Sequence, residues 1–231
     1  MTASVDDEAN DTLTIDVVSD AVCPWCFVGK RRLEAALESL PGLPVEIRWR
    51  PFQLDGTIPQ GGISREEYLT RKFGAERAKD MYARLEGVGE EAGISFAFDR
   101  IARSPNTLDA HRVIRWSQPT GRQDELVERL FNAYFVEGGD IGDRDLLAKI
   151  AGDCGLDVAM TRARLDTDAD LAEVKEEIAV AQRIGVTGVP FFILGGKYAV
   201  AGAQPAEALA TAIQKAARAN ADNAELQSPT A

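Results

Sequence analysis

The sequence predicts an α/β fold in which a βαβ half and a ββα half flank a long α-helical insertion. Three observations predict it. A strand-like run at 12–18 leads through a helical run into a second strand at 45–50, which alternates strictly. From about residue 58 to 184 the apolar spacing is helical. Strand character then returns at Val189 and is followed by a final amphipathic helix.

Each element has a local cause. Thr12 to Val18 is apolar and β-branched, which suits a strand. Residues 26–40 carry Leu33, Ala36, Leu37 and Leu40 at helical spacing, and Pro41-Gly42 stops them. Val45-Glu46-Ile47-Arg48-Trp49-Arg50 reads as a half-buried strand, and the crossover joining it to the first strand should be right-handed. Gly56 to Gly62 is a loop. Ser64-Arg65-Glu66-Glu67 is a capping-box start for a helix running to Glu91, with Gly74, Gly87 and Gly89 as weak points. Ile94 to Phe98 reads as a short extended piece. Helices are expected at 106–117, 122–136, 143–154, 157–165 and 168–184, with no strand pair among them. Gly185 suits the cap of the last of these helices. Val189 to Leu194 and Lys197 to Ala201 form a hairpin around a Gly195-Gly196 turn. Pro205 opens a helix with Leu209 and Ile213 on one face. The domain division is 12–57 with 185–219 for the discontinuous α/β domain and 58–184 for the insertion. Flexible tails are expected at 1–11 and 220–231.

Cys23-Pro24-Trp25-Cys26 stands where the first strand hands over to the first helix. Two thiols at i and i+3 on a first helical turn can close into a small disulfide ring. The helix start offers the outer sulfur, Cys23, unpaired N–H groups and the positive end of the dipole. That is the setting of an attacking sulfur, and a second thiol nearby lets a mixed disulfide resolve. Pro24 has no N–H to lose there. Zinc would need Cys154 and the single histidine, His111, as further ligands, but these are far apart and form no second knuckle. Two idle buried cysteines are a weaker reading. A structural disulfide would close so small a loop that it would be a poor staple. Redox exchange is favoured.

Composition narrows the class. A hydrophobic fraction of 45% is ordinary for a globule, and a net charge of −11 disfavours nucleic acid. No Gly-rich phosphate loop and no apolar run long enough to span a membrane is present. The acidic start lacks the features of a secretory signal, and three cysteines suit a reducing compartment, so a cytoplasmic protein is expected. No bound metal, nucleotide or flavin is implied, and the oligomeric state is left open.

Four passages carry a resemblance. They are Ser19-Asp20 before Cys23-Pro24-Trp25-Cys26; Trp49-Arg50-Pro51-Phe52; Asn106 through Arg112; and Gly185 through Phe192 with Gly202-Ala203-Gln204-Pro205. Together with the βαβ and ββα halves, they resemble the thioredoxin-like fold of the FrnE-like DsbA-family oxidoreductases over roughly residues 12–218. Related families are the 2-hydroxychromene-2-carboxylate isomerases and kappa-class glutathione transferases, which typically carry Ser where Cys23 stands here. The resemblance implies that Cys23 attacks, that Cys26 resolves, and that Pro190 is cis and faces the pair. It also implies that the Val189 backbone receives an extended substrate, with thiol- or disulfide-bearing proteins, or glutathione, as partners.

The sequence departs from the wider thioredoxin pattern in two places. Val17 stands where many members carry a buried acid, and no further cysteine pair lies near the C-terminus. Asp16 and Asp20 are close by, but sequence assigns neither a proton-relay role. Pro24, Trp25, Asn106 and His111 complete the candidate substrate-binding set. Trp25 lies between the thiols on an exposed turn, Asn106 and His111 open a helix that could line the cleft, and a satisfied helix-face histidine is the plainer reading of His111. Cys154 reads as a small buried residue. A glutathione-dependent isomerase or transferase and a non-enzymatic chaperone-like binding module stay open as alternatives to dithiol exchange.

Overall fold

The computed structural model describes residues 12–227. Strand β1 (Leu13–Ser19) is followed by helix α1 (Pro24–Glu38) and strand β2 (Val45–Pro51), and β1 and β2 pair in parallel with Val17 opposite Trp49. After the insertion come β5 (Phe191–Leu194), β6 (Tyr198–Ala201) and helix α9 (Ala206–Gln227). β5 runs antiparallel to β1, so the sheet order is β2-β1-β5-β6. The expected βαβ and ββα halves are therefore joined through β1 and β5.

The period of the strands decides which side packs. Leu13, Ile15 and Val17 of β1 and Phe192 and Leu194 of β5 point to one face. There they share a core with Phe27 and Leu33 of α1 and with Leu209 and Ile213 of α9. Val18 points the other way and joins Phe52, Ala181 and Val186, with Phe191 and Ile193 packed beside them.

The insertion contains α2 (Arg65–Lys72), α3 (Ala75–Glu91), α4 (Leu108–Ser117), α5 (Gln123–Phe135), α6 (Arg144–Asp153), α7 (Val158–Leu165) and α8 (Leu171–Arg183). Ser64 caps α2 by accepting the Glu67 N–H at 3.1 Å, as the capping box predicts. Four expectations need correction. The helix expected over 64–91 is two helices, because Gly74 at φ 76° turns the chain between them. The extended piece expected over Ile94 to Phe98 stops one residue short, because Phe98 opens a 3₁₀ turn that runs to Arg100. The insertion does hold one strand pair, β3 (Ile63–Ser64) with β4 (Arg103–Ser104), which is too short to show a period of two. Helix α9 continues through Gln227, past the expected tail boundary at 220, while the expected tail positions 1–11 and 228–231 lie outside the described residues. At the hairpin, Gly195 and Gly196 both have positive φ, and the Lys197 N–H closes the turn on Leu194 O at 3.2 Å. Ladder pairing resumes at Tyr198, one residue later than expected.

Helix α1 is fixed to α5 by two kinds of contact. Phe27 stacks on Phe131 with ring centroids 5.1 Å apart. One turn further on, Lys30, only 2% exposed, points its ammonium at Glu34, at Asp124 (2.9 Å) and at Glu128 (3.4 Å). Arg31 adds a two-pronged pair with Glu128.

Candidate active site

The sharp turn between β1 and α1 builds the site. Cys23 is the N-cap of α1, Pro24 takes the first helical position, and the Cys23 N–H is held by Asp20 O at 2.9 Å. The Cys23 thiol points across to Val189, whose carbonyl accepts from it at 3.6 Å. The Val189–Pro190 peptide is cis, and the buried Pro190 ring lies against Gly29 of α1. Cys23, Val189 and Pro190 are thus brought together from the two halves of the sequence. Trp25 is 40% exposed beside them, in accord with its place on the turn.

Cys26 lies beneath, with no exposed surface, and both thiols are free. Burial, then the hydrogen bond and the charge of Cys23, push the Cys26 thiol well above the ordinary range. Hydrogen bonds from the Ser19 hydroxyl and the Asp20 backbone act in the opposite direction. The two sulfurs are therefore inequivalent. Both are buried, but Cys23, whose charge raises the other, keeps 4% of its surface exposed and Cys26 keeps none.

The four motif passages meet at this end of the sheet. Phe52 N–H donates to Ser19 O at 3.0 Å, tying the end of β2 to the end of β1. Trp49 is buried, its backbone N–H donates to Gln123 Oε1 at 2.8 Å and its indole N–H donates to Asp124 Oδ1 at 3.0 Å. His111 faces inward. Its Nε2 is 2.9 Å from Phe52 O and 3.7 Å from Asp20 Oδ1, and its ring borders an internal cavity with Trp49, Val127 and Phe131. Asn106 is half-buried and bridges loops. It donates to Ile58 O at 2.7 Å and accepts from Leu108 N–H at 3.0 Å and from Gln53 Nε2 at 3.2 Å. Both residues expected on a substrate-binding surface are thus engaged in holding the site's frame.

Sequence reasoning passed over Ser19, Gly29 and Phe52 as individual residues, and left Asp20 unassigned. Ser19, Asp20 and Phe52 lay within the motif passages, so their presence was visible but their contacts were not. Gly29 carried no signal, since a glycine inside a helix shows its purpose only when the packed neighbour is seen. Cys154 is buried with no exposed surface at the end of α6, as expected. Among the described residues no cluster of His, Cys, Asp and Glu could hold a metal ion, and no helix is long and apolar enough to cross a membrane.

Comparisons with known proteins agree with this architecture. The chain is 30% identical over 185 residues to the uncharacterized protein YwbO of Bacillus subtilis (strain 168), covering 80% of this chain and 88% of that one. It superposes on a structure described as a probable DsbA oxidoreductase from Streptomyces coelicolor with a TM-score of 0.81 at 33% identity, covering 88% of this chain and 89% of the other. A 2-hydroxychromene-2-carboxylate isomerase shares the fold, with a TM-score of 0.68 at 19% identity over 91% of this chain and 98% of that one. The DSBA-like thioredoxin domain matches residues 14–214, which takes in both halves of the fold and every helix between them; to that family the chain belongs.

Proposed function

We propose that the protein is a thiol–disulfide oxidoreductase that exchanges the Cys23–Cys26 dithiol/disulfide with protein or small-thiol substrates. The observation that carries this reading is the inequivalence of the two sulfurs. Cys23 stands at the helix start against Val189 O, and Cys26 is sealed beneath it with its thiol pushed up in part by Cys23. Cys23 attacks a substrate disulfide, and Cys26 then attacks the Cys23 sulfur and frees the substrate. Pro24 and the exposed Trp25 form the rim on which a substrate rests. The Val189 backbone supplies the extended edge for a peptide, with Pro190 holding that edge close to α1. Asn106 and His111 shape the frame behind the pair. The α/β core at 12–57 and 185–219 carries the chemistry, and the insertion at 58–184 shapes access. An odd cysteine count with Cys154 closed in the core suits a reducing cytoplasm.

The test is reduction of insulin disulfides with a dithiol as electron source. Wild type should accelerate it and Cys23→Ser should abolish the acceleration. Cys26→Ala should accumulate mixed disulfides with substrates from a lysate. Glutathione-dependent turnover that survives loss of Cys26 would overturn this proposal in favour of an isomerase or transferase.

A further inference from the structure

Helix α8 is apolar on two sides. Val174, Ile178 and Ala181 follow helical spacing and turn into the protein. Val180 and Ile184, four residues apart and so on one face, are 41% and 60% exposed. Val158 and Met160 of α7 are exposed as well, but side chains two apart on a helix do not share a face. Beside Val180 and Ile184 a groove of about 290 Å³ opens between α8 and the sheet. Val18 of β1, Ile193 of β5 and Ala181 line it, and its polar side chains are Asp16, Arg50 and Glu177. An exposed branched side chain and an apolar groove thus share one patch. That is the requirement of an isologous contact, in which the same surface serves both partners.

Charge restricts what settles there. The chain carries −11, so two copies repel wherever unpaired acids meet. Around the groove the acids are paired. Arg50 holds Asp16 at 2.6 Å and Glu177 at 4.0 Å, and Arg115 holds Glu177 and, at 3.6 Å, Asp170. Arg183 holds Glu176 at 2.6 Å. Glu176 stands one helical turn before Val180 and Arg183 one turn after it, on the same stripe as Ile184. A second α8 laid antiparallel on the first therefore meets base with acid on both sides of Val180. A partner of a single charge sign finds no such match.

We propose that this face is a self-association surface, on which two copies of the chain meet about a twofold axis with their α8 helices antiparallel. Ile184 of each copy fills the groove of the other beside Val180 and Ile193. Arg183 of each copy turns from its own Glu176 to that of the other, so two exposed pairs within chains become two pairs between them. The exchange costs little, because side chains 59% and 65% exposed hold such a pair only weakly. The surface is independent of the dithiol exchange proposed above, since the cysteine-bearing α1 packs on the opposite face of the sheet.

The experiment measures the mass of the reduced full-length protein in solution, by sedimentation equilibrium from low micromolar to near-millimolar concentration. A reversible dimer is expected. Ile184→Asp places a charge in the groove and should weaken it by at least about 30-fold, the loss of a central contact. Arg183→Glu and Glu176→Arg should each weaken the dimer by setting like charges face to face. Mixing those two variants should restore a dimer that holds one chain of each. All three positions are exposed, so the variants should match the circular dichroism and melting of wild type. A monomer across the whole range, a dimer indifferent to Ile184→Asp or to the charge reversals, or reversed variants that do not pair on mixing would each overturn the proposal. A monomeric wild type that dimerises once residues 1–11 are removed would overturn it in favour of the chain's own start as the occupant.

Discussion

Replacing Gly29 by alanine sets a gain in helix propensity against a loss of fit. Alanine in a helix interior is favoured over glycine by about 1 kcal/mol. A Cβ at position 29, however, would lie 2.7 Å from Pro190 Cγ, 3.3 Å from Pro190 Cβ and 3.4 Å from Phe192 Cζ. Carbon atoms rest at about 3.5–4.0 Å, so the proline ring must retreat by about 0.8 Å or α1 must lift. Neither side yields easily. Pro190 is buried with its carbonyl accepting from Gly202 N–H at 2.8 Å, and Phe192 has no exposed surface. Such overpacking costs about 1–3 kcal/mol, which leaves Gly29→Ala destabilised by up to about 2 kcal/mol. The functional effect should be larger than the loss of stability. Retreat of Pro190 carries with it the Val189 carbonyl now 3.6 Å from the Cys23 sulfur, and a misplacement of about 1 Å can cost on the order of 10² in rate. Chemical denaturation gives the first quantity, and insulin reduction at limiting substrate gives the second. A Gly29→Ala protein stabilised by about 1 kcal/mol with wild-type turnover would refute the reasoning, since the helix gain alone would then have decided the outcome.

Two further outcomes are expected. Lys30→Met should destabilise the fold by about 2–3 kcal/mol by denaturant melt, less than a fully buried pair would cost because Glu34 and Asp124 are partly solvated. Burial alone would lower the Lys30 pKa, but Asp124 and Glu34 outweigh it and raise it, so the contribution should persist through neutral pH and fade only as pH rises through that raised value. Cys154→Ala should leave insulin reduction unchanged and cost about 1 kcal/mol, and in the folded protein Cys154 should resist alkylation, because burial and then Glu125 push its thiol up.

Much of the fold was legible because its signals are local. Strict alternation at Val45–Arg50, the proline and glycine stops, and the Ser64 capping box each act within a few residues. The cysteine pair was legible for the same reason, since Cys23 and Cys26 fall within one helical turn. The rest depends on contacts between distant segments. His111 stands far from Asp20 in the chain, and only the packing of α4 on the ends of β1 and β2 places them 3.7 Å apart. A satisfied helix-face histidine was the plainer reading of His111, but the carbonyl that satisfies it, Phe52 O, lies too far along the chain to be read from sequence. The β3–β4 pair escaped because two residues have no period, and the Gly29–Pro190 fit escaped because glycine leaves no pattern.

The attachment of α1 to α5 ties the cysteine-bearing helix to the insertion. Phe27, Lys30 and Arg31 follow the thiols by little more than one helical turn, yet their partners Phe131, Asp124 and Glu128 belong to the inserted helices. The segment that carries Cys23 and Cys26 is thus a party wall, shared by the sheet half and by the inserted helices. A chimera that imports another member's insertion would leave Lys30 and Arg31 facing strangers, and the cysteines would register the mismatch. Under the proposed exchange chemistry, the setting of the two sulfurs is therefore tied to the insertion through the one helix that both sides lean on.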